Sequence, residues 1–206
     1  MVAGSILPIS IHNGELFFLF GKENDLADTP GFSDFGGGVD NGETPYKTAL
    51  REGAEELTGF LGGEKEIEEL IRKNGGTYNM QHNTYHMHLF VIDYDNNLPM
   101  YYNQNHRFLW SRMNNEELEK TKLFEKAEIQ WFTISDMKSH RSEFRNFYQE
   151  IVDKLVEDSK NIKQFAENKI NKSKNDKNKH KHLNLTKKNK TMKKYKKKPV
   201  QKIGGK

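Results

Sequence analysis

Apolar and polar positions along the first 160 residues fall into short β-rich runs, an alternating central segment and stretches with helical spacing. Ser5–Ile11 and Glu15–Phe20 are rich in β-formers and are separated by His12-Asn13-Gly14, which predicts a hairpin. Phe32–Phe35 reads as a short strand running into Gly36-Gly37-Gly38. Thr44 opens a helical stretch with Pro45 in its first turn, where the missing N–H costs nothing. The pattern carries that helix to about Thr58, with Gly59 as its stop. A second, charged helix is predicted over Glu64–Lys73, strands over the alternating, aromatic segment Tyr78–Tyr94, and another strand over Glu128–Phe132. Phe144–Val156 has helical spacing, with Phe144, Phe147, Tyr148, Ile151 and Leu155 on one face. Strands interleaved with a few helices predict an α+β fold with a mixed sheet.

This pattern stops near Asp158. Beyond it, Lys and Asn dominate and almost nothing apolar remains, so the segment cannot bury enough surface to offset its chain entropy. The division expected is an ordered domain over 1–158 and a disordered basic tail over 159–206. Charge makes the same division. The formal sum is +4. Residues 160–206 contain 18 Lys, no Arg and two acids, Glu167 and Asp176, a net of +16, which leaves −12 on the body.

With no cysteine, disulfides, zinc–thiolate sites and cysteine nucleophiles are excluded. No apolar run approaches the length of a membrane span, and the N-terminus lacks a signal peptide's basic start and long apolar middle. The expectation is an intracellular, cytoplasmic protein without membrane contact, with nuclear entry through the basic run around Lys193–Lys198 as the alternative.

The segment that carries chemistry is 37–59. On a helix, Glu52, Glu55 and Glu56 stand at i, i+3 and i+4, so three carboxylates share one face. Such a cluster is self-repelling by a few tenths of a kcal/mol per pair, and only Lys47 and Arg51 lie near enough in sequence to offset it. A bound cation would relieve it, and all-oxygen ligands suit Mg²⁺ or Mn²⁺. The glycine run would let the backbone approach such a ligand closely and offer a carbonyl oxygen.

The spacing Gly37-x5-Glu43-x7-Arg51-Glu52-x2-Glu55-Glu56 resembles the signature box of the Nudix hydrolases. It departs from that pattern twice. Gly53 stands where the family has an aliphatic residue, and the closing Gly59 comes one residue late, which predicts a helix one residue longer. The segment Ala127–Phe132 followed by Asp136 is similar to the family's late strand. The resemblance implies an α/β/α sandwich and hydrolysis of a nucleoside diphosphate linked to another group, with Mg²⁺ or Mn²⁺ as cofactor. It implies that Glu55 and Glu56 are metal ligands, that Glu52 is a ligand or orients the water as base, and that Gly37 offers its carbonyl to the metal. Arg51 would hold Glu43 and the catalytic carboxylates in place. Family members often add one more carboxylate from the loop before the late strand, for which Glu125 is the candidate and Glu128 the reserve.

Three substrate readings follow. A small nucleotide, dinucleotide or nucleotide-sugar substrate is favoured, because Phe35-Gly36-Gly37-Gly38 approaches the box without the Pro-Lys-Gly stretch of decapping and diphosphoinositol members. An mRNA-decapping enzyme using the tail to bind RNA, and a noncatalytic nucleotide-binding domain, are the alternatives. The tail's lysines suit nonspecific contact with RNA or DNA phosphates, but with one Tyr and no Arg it lacks stacking groups and guanidinium forks. His86 and His88 alternate on a strand and face one way, more in keeping with a sheet surface than with a metal pair. Trp110 and Trp131 are expected in the core or a pocket wall, and Phe17, Phe18 and Phe20 in the core. Oligomeric state is not encoded in any of these features.

Overall fold

The computed structural model describes residues 1–121 and 124–171, and residues 1–169 form one compact unit. Its frame is a mixed sheet of seven strands: β1 (Ala3–His12), β2 (Glu15–Glu23), β3 (Phe32–Ser33), β4 (Phe35–Gly38), β5 (Thr77–His82), β6 (Tyr85–Val91) and β7 (Lys126–Thr133). The hairpin turn between β1 and β2 uses left-handed Asn13 and Gly14, as the sequence predicts.

β1 is the hub. Along one edge it pairs in parallel with β6, from Ala3 opposite Tyr85 to Ile9 opposite Val91. Along the other it pairs antiparallel first with β4 (Ala3 to Ile6) and then with β2 (Ile9 to His12). The chain from Phe32 to Gly38 pairs first with β2 and then with β1, and Asp34 sits at the crossing. β7 lies antiparallel to β2, with Lys126 opposite Glu23.

Period-2 alternation sends successive strand residues into two cores. On one face Ile6, Leu19, Ile129 and Trp131 pack under three helices, α1 (Pro45–Glu56), α2 (Glu64–Lys73) and α3 (Leu98–Trp110). On the other, Phe20 meets Phe132, Phe144 and Tyr148 edge-on, with Phe18 stacked on Phe20 and Phe132 tilted against Phe144, beside α5 (Ile134–Ser139) and α6 (Gln149–Glu157). The result is the expected three-layer α/β/α arrangement. The short α4 (Asn115–Lys120) completes the helices and carries its own cap, Asn114 accepting from the Glu117 N–H.

Three elements differ from the pattern-based expectation. The last helix begins at Gln149, because Phe144 forms an isolated bridge with Phe32 and Phe147 stays half exposed. α1 ends at Glu56; Thr58 and Gly59 both take left-handed conformations, so the late glycine lengthens the turn and not the helix. Helical structure also continues through residues 159–169, where Ile162 and Ala166, four apart, are fully buried, so packing extends beyond Asp158. The predicted disorder of residues 172–206, with the basic run around Lys193–Lys198, lies outside the described residues. Among the described residues no helix is long and apolar enough to cross a membrane.

Candidate active site

The site is built on α1. Thr44 caps it by accepting from the Lys47 N–H at 3.2 Å, with Pro45 in the first turn. Two glycines let the helix press onto the sheet. A Cβ on Gly4 would collide with the Pro45 carbonyl, and one on Gly53 would collide with Ile6. Gly53 is therefore matched to Ile6: the strand supplies the aliphatic bulk that the helix lacks.

Pressed onto β1 and β4 in this way, α1 holds its charged turn against the glycine run. Arg51 organises one side of it. Its guanidinium donates to both oxygens of Glu43 (3.2 and 3.1 Å) and to Glu52 Oε1 (2.8 Å). Asp40 and Glu55 lie 3.3 and 3.7 Å away. Thr48 donates a further bond to Glu43 at 2.7 Å. The Arg51 hydrogen bonds, then Thr48, pull the Glu43 carboxyl down to about 2, and Glu43 in turn pushes the Arg51 pKa up. Arg51 and Glu43 thus form a fork-on-carboxylate pair beside Glu52 and Glu55. Glu52 lies directly against Gly37, where any Cβ would meet its carboxylate.

Glu56 faces inward. Its Oε2 accepts from the Gly36 N–H at 2.9 Å, and its Oε1 lies 3.2 Å from Lys126 Nζ. Lys126 is fully buried and also reaches Glu23 at 2.5 Å and Ser33 Oγ at 3.0 Å. Glu23 is bound in addition by Arg145 at 2.6 Å. Burial raises the pKa of the Glu56 carboxyl, and the Lys126 ammonium beside it pulls the other way. Burial acts against the Lys126 charge, but Glu56 and Glu23 together outweigh it and the ammonium stays protonated. The Tyr102 hydroxyl, from α3, lies 2.7 Å from the Glu56 carbonyl and 3.0 Å from that of Lys126, joining the end of α1 to the start of β7.

Glu125 follows Phe124, a left-handed residue, and its charge is close enough to help raise the Glu56 pKa. Glu128 is drawn away to Lys22 at 3.5 Å. His88 stands apart from the site: it faces Tyr46, Nδ1 is 2.8 Å from Asn79 Oδ1, and burial lowers its pKa to about 4. Trp131 is core, donating to the Asp95 carbonyl at 2.9 Å. Trp110 is a wall residue, stacked on His106 in a cleft of about 280 Å³ shared with Asn24, Asp25 and Glu128.

Among the described residues no three His, Asp or Glu side chains converge as a preformed metal cluster. Basic partners spread the carboxylates, Arg51 taking Glu43 and Glu52 and Lys126 taking Glu56. The donors nonetheless match a hard divalent cation in kind, with oxygens on adjacent helical positions and a glycine backbone against Glu52.

A sequence model of the NUDIX domain matches residues 5–155. The chain belongs to the Nudix family of hydrolases, enzymes acting on phosphoanhydride bonds. Solved structures similar to it include an Ap4A hydrolase binary complex from C. elegans (14% identity, covering 66% of this chain and 83% of that one, TM-score 0.38). Others are the NUDIX domain of Shewanella oneidensis NrtR complexed with ADP ribose (11%, 78% and 86%, 0.39) and a NUDIX hydrolase from Nitrosomonas europaea (14%, 79% and 91%, 0.39). No curated protein sequence matches the chain.

Lys126, Glu23 and Tyr102 escape a reading of the sequence. Lys126 opens a strand, where a lysine ordinarily marks solvent, and only the register that sets it opposite Glu23 shows the pairing.

Proposed function

We propose that the chain cleaves a phosphoanhydride bond in a nucleoside diphosphate linked to a second group, using Mg²⁺ or Mn²⁺. The observation that supports this best is the Arg51 bracket, which holds Glu52 against Gly37 with Glu55 alongside. Glu52, Glu55 and the Gly37 carbonyl would hold the cation. When bound, the cation screens the pyrophosphate charge and acidifies a coordinated water. Arg51, itself gripped by Glu43, keeps Glu52 in place, and Glu125 would be the further carboxylate, orienting the attacking water.

The test is a substrate panel for the full chain: a dinucleoside polyphosphate, ADP-ribose, a nucleoside triphosphate and capped RNA, with Mg²⁺ or Mn²⁺. Turnover of at least one free nucleotide is expected, lost with a chelator. Glu55→Gln is expected to lower kcat by about 100-fold or more. Tight binding without turnover of any member would sink the proposal. Turnover confined to capped RNA, falling steeply with salt, would reassign the substrate to RNA.

A further inference from the structure

Of the carboxylates on the catalytic turn, Glu56 alone has both oxygens occupied from within the protein. Gly36 N–H takes one and Lys126 the other, and the side chain is 4% exposed, against 31% for Glu55. Lys126 is equally committed. An ammonium has three N–H donors, and three acceptors surround this one: Glu23 at 2.5 Å, Ser33 at 3.0 Å and Glu56 at 3.2 Å. Turning away from any of them would leave a buried donor unpaired. Tyr102 holds the two backbones together. Glu56 is thus stretched between a fixed internal cation and the peptide of Gly36, whose neighbour Gly37 is the surface against which Glu52 lies.

We infer that Glu56 is a positioning residue in this chain and not a cation ligand: the Lys126 ammonium supplies the positive charge at its carboxylate, and Glu56 anchors the Gly36–Gly37 backbone beside Glu52. The inference rests on the reading of Glu52 and Glu55 as the ligands. It departs from the family pattern, in which the Glu56 position ligates metal, and it makes Lys126 the residue that reserves Glu56 for this duty.

The experiment is Mn²⁺ binding to the full chain, followed by the free-ion EPR signal, alongside steady-state kinetics. Glu55→Gln should weaken Mn²⁺ binding about tenfold or more. Glu56→Gln should leave it within about threefold of the parent while kcat falls about 10- to 100-fold. Lys126→Met frees one Glu56 oxygen, and Mn²⁺ binding should tighten about threefold or more, a gain that Glu56→Gln in the same chain removes. Lys126→Arg should restore the parent affinity. A lysine that merely stabilised the fold would not raise Mn²⁺ affinity through Glu56. If Lys126→Met does not fold, Glu56→Gln decides alone: a loss of Mn²⁺ binding equal to that of Glu55→Gln overturns the inference. If Glu55→Gln leaves Mn²⁺ binding unchanged, it is the underlying assignment of ligands that fails.

Discussion

Gly53 shows how a single position can depart from a pattern and keep its purpose. Its missing side chain is the space into which Ile6 fits. Gly53→Leu should overpack that contact and cost about 1–3 kcal/mol, with part of the loss recovered when Ile6→Ala is added; urea denaturation of the two variants checks both. Asp34 has a different consequence. It is buried and accepts from Ser5 Oγ at 2.5 Å and from the Tyr85 hydroxyl, yet burial dominates and raises its carboxyl from 3.8 to about 6. The folded protein therefore keeps a proton that the unfolded chain releases between those values. Its contribution to stability is complete below pH 3.8 and lost as pH rises through 6, by about 3 kcal/mol. Asp34→Asn should gain on the parent by that order between pH 3.5 and 7, measured as the difference in unfolding free energy. A pH-independent difference would show that Asp34 ionises normally. The Arg51–Glu43 fork was anticipated from the resemblance of segment 37–59 to the family signature, and both partners belong to one helix and its approach. Asp34 and Lys126 were not, since each is explained by a strand far away in sequence.

At the level of elements, caps and periodicity located α1 and α2 well. Thr44-Pro45 announces the first, and acidic Glu64 and Glu66 at the start with Arg72 and Lys73 at the end suit the dipole of the second. α3 left no such trace. Its inward residues Tyr102 and His106 are four apart, but Asn103, Gln104 and Asn105 stand between them and no apolar stripe forms. The exit from α1 is a strained turn, with Thr58 at φ 47° ahead of Gly59 at 76°. A β-branched residue pays for that conformation. Thr58→Gly should relieve it by about 0.5–1 kcal/mol, seen as a rise of ~2 °C in Tm; a fall would mean that the threonine side chain holds the turn.

For the whole molecule, the divided charge gains a location. The body is acidic by 12 charges over residues 1–159, and two of its inward acids, Glu23 and Glu56, are already matched by Lys126 and Arg145. The acids left for an external cation are the Arg51 group, so the overall −12 says little about cation capacity. A polyphosphate still meets a repelling surface until a cation reverses its sign locally. The three-layer fold and the helix that carries the site could be anticipated from sequence, while the inner support of that site depends on strand register and could not.

The bond between Lys126 and Glu23 closes a loop of 103 residues, whereas the β1–β2 hairpin closes over two. Contacts so distant in sequence carry the largest entropy of closure and tend to form late. Folding should therefore begin at the hairpin and finish at the cradle around Glu56. Mild substitutions there, such as Ser33→Ala or Tyr102→Phe, are expected to speed unfolding and leave the folding rate nearly unchanged, whereas Phe18→Leu should slow folding. Stopped-flow measurements in urea would separate these cases. A chain newly made or newly unfolded would then complete this site last, only once its second and final strands have met.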